Sequence, residues 1–505
     1  MPKIAKERTQ ENQRRIEAAA LELFTSQGFH GTNNREIAQK VGVSTGTIYT
    51  YFPSKEAIFA SLAQRYRLHM SEWLRKAIAG LQEPLSKQGL TNLASAVQSL
   101  MFDDSESFLM LLSDVIEFKN QHFLEVFHDV PEQFRRLLGP VLEKVKEQPG
   151  WRGEDPAFVL ASIHVYFFTF FLMERHMQGE QHLGISNELA TEKFVDLLFR
   201  GLWSSSPDAP SASLYGRTGE YIVRQQTLQA ERDRVDYLRF LSGRLWSSPP
   251  DAPPSHSKQD NGEHPAKRPI LFLPAIPRER IDDNQLRIEA AALELFTRQG
   301  FHGTNIRDIA EKARVSQGAI YMYYQSKEAI FAGLVRSYRH SMRKFLERVF
   351  RALEDPFSRS DLRLFAAAMR SMVYDDAEYW LLMYIDVIEF KNQHFLRVLQ
   401  DIPEQFRRLL GPRVDKVKEQ PGWCGHDPAL VMAMIYFYFH TYFVIESVMH
   451  GNHHLGVSDE EAVERFIDIL LNGLWKQPET ASSDRSDGKS KTPRRMQKAH
   501  SNGSQ

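Results

Sequence analysis

Thr45, Thr47, Tyr49, Thr50 and Tyr51 crowd hydroxyl-bearing side chains around Gly46 in one short stretch behind Ser44, with Arg35 before it and Lys55 after it. Small hydroxyls donate and accept hydrogen bonds without bulk, and the flanking cations attract phosphate. That combination suits the base edges and backbone of nucleic acid better than bond-breaking chemistry. A second set offers groups to a small ligand, and within it Glu117 with His122, or His164 with Glu174, could in principle do acid–base work or bind a metal. It comprises Glu117, Asn120 and His122 in IEFKNQHF, then His164, Tyr166, Phe168 and Glu174 on an apolar stretch. Its later counterparts are Glu389, Asn392, His394, Tyr438, His440 and Glu446. No HExxH pair, nucleophile elbow or phosphate-cradling glycine loop accompanies these residues, and Cys424 is the single cysteine. The expectation is therefore no enzyme, no cofactor and no metal site. His453 and His454 sit in a polar turn and are expected at the surface.

The elements that position these residues are written twice. IEAAALELFT at Ile16 recurs at Ile288, DVIEFKNQHFL at Asp114 recurs at Asp386, and Trp203 maps onto Trp475, all at an offset of 272 residues. No gap is needed across roughly 200 residues, so a whole module is duplicated rather than a short-period repeat. Both copies read as helix throughout. Ile16, Ala19, Ala20, Leu23 and Phe24 mark one helical face, and Gly28 stands where a left-handed stop belongs. Asn33 with Glu36 reads as an N-terminal cap for a short helix that buries Ile37, Ala38 and Val41. Gly42 permits a sharp turn, Ser44 caps a second short helix with Ile48 and Phe52 inward, and Pro53-Ser54 opens a longer one. Two short helices joined by a glycine turn are the pattern of a helix-turn-helix, whose second helix enters the major groove of double-stranded DNA.

The pattern G-[ST]-x-x-x-x-I-A-x-x-x-x-V-S-x-G-x-[IL]-Y-x-[YH]-[FY]-x-S-K-E occurs as Gly31–Glu56 and again as Gly303–Glu328. It resembles the DNA-binding signature of the tetracycline-repressor (TetR) family of transcriptional regulators. The resemblance is specific over about the first 50 residues of each copy; beyond them it rests on helical character and length. It implies that Thr45, Gly46 and Thr47 open a recognition helix, that Thr50 and Tyr51 continue its DNA face, that Arg35 meets phosphate or a base, and that Lys55 meets phosphate. Tyr49 is expected to offer its hydroxyl to phosphate while its ring packs inward. The corresponding set in repeat 2 is Arg307, Ser316, Gln317, Gly318, Ala319, Tyr321, Met322, Tyr323 and Lys327.

Repeat 2 departs where specificity is carried. Gly42, Thr45, Thr47, Thr50 and Pro53 become Arg314, Gln317, Ala319, Met322 and Gln325. Arg314 in the turn should cost about 1 kcal/mol in backbone strain. Gln317 can pair with adenine, while Ala319 and Met322 favour a thymine methyl. An imperfect palindrome with two differently read half-sites is expected. The other reading is a sensor in which repeat 2 no longer binds DNA. Each module should also hold a cavity for a small, largely apolar effector, lined from the aromatic stretches 155–178 and 427–450 and from the polar IEFKNQHF residues.

The expected architecture is all-α. It comprises DNA-binding domains at 8–55 and 280–327, and helical effector and dimerisation domains at 56–203 and 328–475. A linker at 204–277 carries a helix at 218–246, and a basic disordered tail spans 477–505. The last helices of the two modules should pack together as an intramolecular pseudo-dimer, whether or not two chains associate further. The 74-residue linker permits this, since it could extend on the order of 240 Å. At 505 residues two domains are expected. A net charge of −1 hides local excesses: residues 1–55 hold eight Lys/Arg against five Glu. A polar N-terminus and a lone cysteine suit the cytoplasm. Ala157–Met173 and Leu430–Ile445 are apolar, but short for a bilayer, and are expected as buried helices rather than membrane spans.

Overall fold

Asn33 starts the second helix of repeat 1 because its side-chain oxygen takes the free backbone N–H groups of Arg35 and Glu36, and Glu36 returns a bond to the Asn33 N–H. That reciprocal cap fixes α2 (Asn34–Val41) against α1 (Lys3–Gln27). Gly42 ends α2 with φ 78°, and Ser44 caps α3 (Thr45–Tyr51) by accepting from the Thr47 N–H at 3.1 Å. Ile16, Phe24, Ile37, Ile48 and Phe59 close the small core beneath. Removing one of these side chains to Ala should cost about 2–5 kcal/mol. Repeat 2 builds the same head from α10 (Asp283–Gln299), α11 (Ile306–Ala313) and α12 (Gln317–Tyr323), with Asn305 and Ser316 as caps. Arg314 does take the left-handed conformation, φ 56° and ψ 44°, that glycine takes in repeat 1.

Residues 3–79, 81, 83–103, 105–124, 130–176, 183–201, 283–395, 402–449, 451 and 453–473 of a computed structural model are described. The expected linker and its helix, the C-terminal tail, Trp203 and Trp475 lie outside them. No β-strand occurs among the described residues, and the fold is all-α. In repeat 1 the body follows as α4 (Lys55–Ala79), α5 (Lys87–Asp103), α6 (Ser105–Phe118), α7 (Val130–Lys146), α8 (Pro156–His176) and α9 (Asn187–Arg200). In repeat 2 it follows as α13 (Lys327–Ala352), α14 (Arg359–Asp375), α15 (Ala377–Phe390), α16 (Ile402–Leu410), α17 (Arg413–Glu419), α18 (Pro428–Ser447) and α19 (Asp459–Asn472).

The apolar helices α8 and α18 would be long enough to cross a bilayer, yet 89% and 100% of their apolar windows are buried inside the molecule. They are core helices, as their aromatic content requires. They also meet each other: α8 packs on α18, α9 on α19 and α6 on α15. The heads join in by exchange, α1 packing on α15 and α10 on α6. At one end of this seam Gly201 and Gly473 touch backbone to backbone. Both have φ above 70° with ψ near 180°, a region open essentially to glycine alone. A Cβ on Gly201 would come within 2.4 Å of the Gly473 nitrogen.

Candidate nucleic-acid interface and effector cavity

In α3 and α12 the short length of seven residues, about two turns, leaves only one buried side chain each, Ile48 and Ile320. Gly46, Tyr49 and Thr50 are exposed, as are Gln317, Gly318, Tyr321 and Met322, while Thr45, Thr47 and Ala319 are half-buried. Met322 is 83% exposed. Arg35 and Arg307 are exposed on the preceding helices. Ser44 and Ser316 are committed to capping.

Three aromatic and cationic expectations need correction, each in both copies. The rings of Tyr49 and Tyr321 do not pack inward; they are 55% and 54% exposed. Tyr51 turns instead toward the head, where its hydroxyl accepts from Asn12 Nδ2 at 2.8 Å, and Tyr323 likewise packs against the core. Lys55 and Lys327 are not free cations at the head's surface. Lys55 Nζ donates to the carbonyls of Phe29 at 2.6 Å and Thr32 at 2.8 Å, and stands 4.1 Å from the Phe29 ring centroid. Lys327 does the same with Phe301 and Thr304. Partial burial holds both ammonium groups below their ordinary value. These lysines stitch the loop after the first helix to the fourth.

The polar residues of IEFKNQHF were expected to face a cavity, and the structure places them elsewhere. Asp114 accepts from His122 Nδ1 at 2.6 Å and from two backbone N–H groups, tying off the left-handed turn at Lys119 and Asn120; Asp386 and His394 repeat this. Asn120 Nδ2 donates across the seam to the Met449 carbonyl at 2.5 Å. Asn392 is fully buried at the equivalent turn. Glu117 meets His30 at 2.7 Å, and Glu389 accepts from the Phe301 and His302 N–H groups at 3.0 and 2.8 Å. Burial, then the charge of Glu117, pushes Glu389 up to about 7. Glu446 is likewise structural: it accepts from the His453 and His454 N–H groups and pairs with His454 Nδ1. His454 is buried, not at the surface. Glu174 is buried as well.

Of the aromatic positions, Tyr166 and Tyr438 are core, stacked on Phe194 and Phe466 with centroids 3.5 and 3.2 Å apart. His164 lies among Trp73, Phe134 and Phe168, and desolvation pushes it down to about 4. Phe168 and His440 do line a small enclosed void at the seam, about 20 Å³, with Trp380, Tyr436 and Thr441. Desolvation pushes His440 down to about 3, so it is neutral, yet neither ring nitrogen has a hydrogen-bond partner. Thr441 Oγ1 and Trp380 Nε1 are also unsatisfied. Beyond Trp380 and Tyr436 opens a larger cavity of about 470 Å³, within the range of small-molecule sites. Its walls come from α13, α15, α16 and α18 of repeat 2 and include Tyr338, Met342, Phe395 and Phe406. The sequence reading missed these residues except Tyr436. The available signal was divergence between the copies, since Trp380 and Tyr436 stand opposite Phe108 and His164.

Two capped three-helix heads, each showing a short exposed recognition helix, define a helix-turn-helix DNA-binding protein. The profile of bacterial regulatory proteins of the tetR family matches residues 16–62 and again residues 288–334. The chain therefore carries the DNA-binding domain of the tetR-family regulatory proteins twice. The uncharacterized HTH-type transcriptional regulator YdgC of Bacillus subtilis is 35% identical over 80 residues, 16% of this chain and 40% of its own length. YerO of the same organism, also an uncharacterized HTH-type transcriptional regulator, is 30% identical over 133 residues, 25% of this chain and 44% of its own. The HTH-type transcriptional regulator RutR of Escherichia coli K12 is 44% identical over 50 residues, 10% and 24% of the two lengths. The chain thus matches less than half the length of each of these three relatives.

Proposed function

We propose that the chain is a cytoplasmic, effector-responsive transcriptional repressor whose two heads read the unequal halves of one pseudo-palindromic operator. The observation that carries this reading is a pair of similarly capped, similarly exposed recognition helices with different side chains. One presents Thr45, Thr47 and Thr50; the other presents Gln317, Ala319 and Met322. Fusion and the reciprocal packing of α1 on α15 and α10 on α6 support an intramolecular pseudo-dimer. Its heads would enter successive major grooves about 34 Å apart. Arg35 and Arg307 then supply phosphate contacts, which makes binding strongly salt-dependent.

Effector response in this reading runs along α13. Its 26 residues form one rod, about 39 Å long, from Lys327 under head 2 to the cavity wall. An occupant that favours one placement of this rod shifts the spacing of the heads by its differential affinity for the two states. The test is a gel shift of the full chain and of Arg35→Ala and Arg307→Ala variants on the DNA beside its gene. Weakening in both variants is expected. An Arg307→Ala protein that binds as tightly and specifically as the parent would mean that repeat 2 is silent.

A further inference from the structure

The mouth of the repeat 2 cavity is formed by successive turns of α13 that bring Arg336, Arg339, His340 and Arg343 to one rim. No acidic side chain lines this cavity among the described residues; the nearest acidic partner of the rim is Glu347, one turn further on, whose Oε1 stands 3.7 Å from Arg343 Nε. Burial, then the charges of Lys344 and Arg343, holds the His340 imidazole below its ordinary value, against the opposing charge of Glu347. Deeper in, the walls are aromatic, but two buried donors stand idle. The Tyr338 hydroxyl and Trp380 Nε1 have no hydrogen-bond partner, and their residues are 1% and 3% exposed. Unsatisfied buried donors are costly and rarely left so without a purpose.

The duplication supplies an internal control. At the offset of 272, repeat 1 keeps Arg67 opposite Arg339, but has Gln64, Leu68 and Ser71 opposite Arg336, His340 and Arg343. Its counterpart of Trp380 is Phe108, which has no donor. The cationic rim and the indole donor therefore belong to one copy only.

We propose that this chain binds a single amphipathic organic anion, in repeat 2 alone, with its aromatic or alkyl body against Trp380 and Tyr338 and its anionic group at the arginine rim. The proposal deepens the effector-responsive reading and rests on it for its regulatory meaning. The body of the ligand ends against Trp380 and Tyr436, which also wall the small void between α8 and α18. Occupation is thereby felt at the seam between the copies.

The experiment is a fluorescence titration of the full chain with two probes of nearly the same aromatic body. 8-Anilinonaphthalene-1-sulfonate carries the anion, and N-phenyl-1-naphthylamine does not. The sulfonate should bind once per chain and at least about tenfold tighter than the amine, since a charge-assisted contact exceeds the 1.4 kcal/mol that tenfold represents. A triple variant Arg336→Gln, His340→Leu, Arg343→Ser, which installs the repeat 1 residues, should lose that tenfold while its amine binding and helical circular dichroism stay unchanged. Two equivalents per chain, equal affinity for both probes, or a triple variant that keeps the preference would each overturn the proposal. DNA binding is measured separately. If the sulfonate binds as stated but never alters a gel shift, the anion site stands and effector-responsive repression falls.

Discussion

Arg35 and Lys55 look alike in sequence as cations flanking a recognition helix, but the structure separates their tasks. Arg35 is exposed, whereas Lys55 spends its donors on the Phe29 and Thr32 carbonyls. Arg35→Ala should weaken DNA binding for all sequences alike and lower the slope of log affinity against log salt by about 1. Lys55→Ala should lower the melting temperature and leave that slope unchanged; anisotropy titrations across salt, paired with thermal melts, separate the two. Glu389 provides a pH test. Its carboxyl is pushed up to about 7 by burial and by Glu117, so the folded chain holds a proton there that the unfolded chain releases near the ordinary value of 4.5. The folded state binds more protons between those values, and stability from this group falls as pH rises from about 4.5 to about 7. His30, raised chiefly by its hydrogen bond to Glu117, contributes in the same direction, and His302, lowered by burial, opposes it. Denaturant midpoints at pH 5 and pH 8 should differ less in Glu389→Gln than in the parent; an unchanged difference would remove Glu389 from this account.

At the scale of elements, the heads were legible because their signals are local. Asn33 with Glu36, Gly42, and Ser44 each act within four residues, and caps and turns obey short-range geometry. The exchange of Gly42 for Arg314 leaves the turn in place, so its cost is a clean measurement. A Cβ at Gly42 would meet nothing within 4 Å, and only backbone strain opposes it. Gly42→Ala should destabilise by about 1 kcal/mol, and Arg314→Gly should stabilise by a similar amount, read as shifts in urea midpoint at constant slope. The body expected to hold an effector was not legible in this way. Asn120 finds its partner at Met449 in the other copy, and Glu117 finds His30 in a different domain. Polarity on an apolar background announces that a partner exists, but not whether it is a ligand or a distant carbonyl. The cavity that the structure does show is built by Tyr338, Trp380 and Phe406 from three separate helices, ordinary core residues in any linear reading.

For the whole molecule, fusion turns a symmetric arrangement into one whose halves can diverge. What keeps the halves together is the seam, and its tightest point is Gly201 against Gly473. Gly201→Val should force the ends of α9 and α19 apart. Small-angle scattering should then show a larger radius, and affinity for a full operator should fall toward that for a half-site; unchanged values of both would contradict the role given to this contact. The central claim is that two different recognition helices read two different half-sites. Binding of the full chain to an operator library scanned one base at a time in each half tests it most directly, alongside the triple variant Gln317→Thr, Ala319→Thr, Met322→Thr. The parent should show unlike base preferences in the two halves, and the variant should shift toward a perfect palindrome of the half-site read by Thr45, Thr47 and Thr50. Identical preferences in both halves of the parent operator would contradict the account.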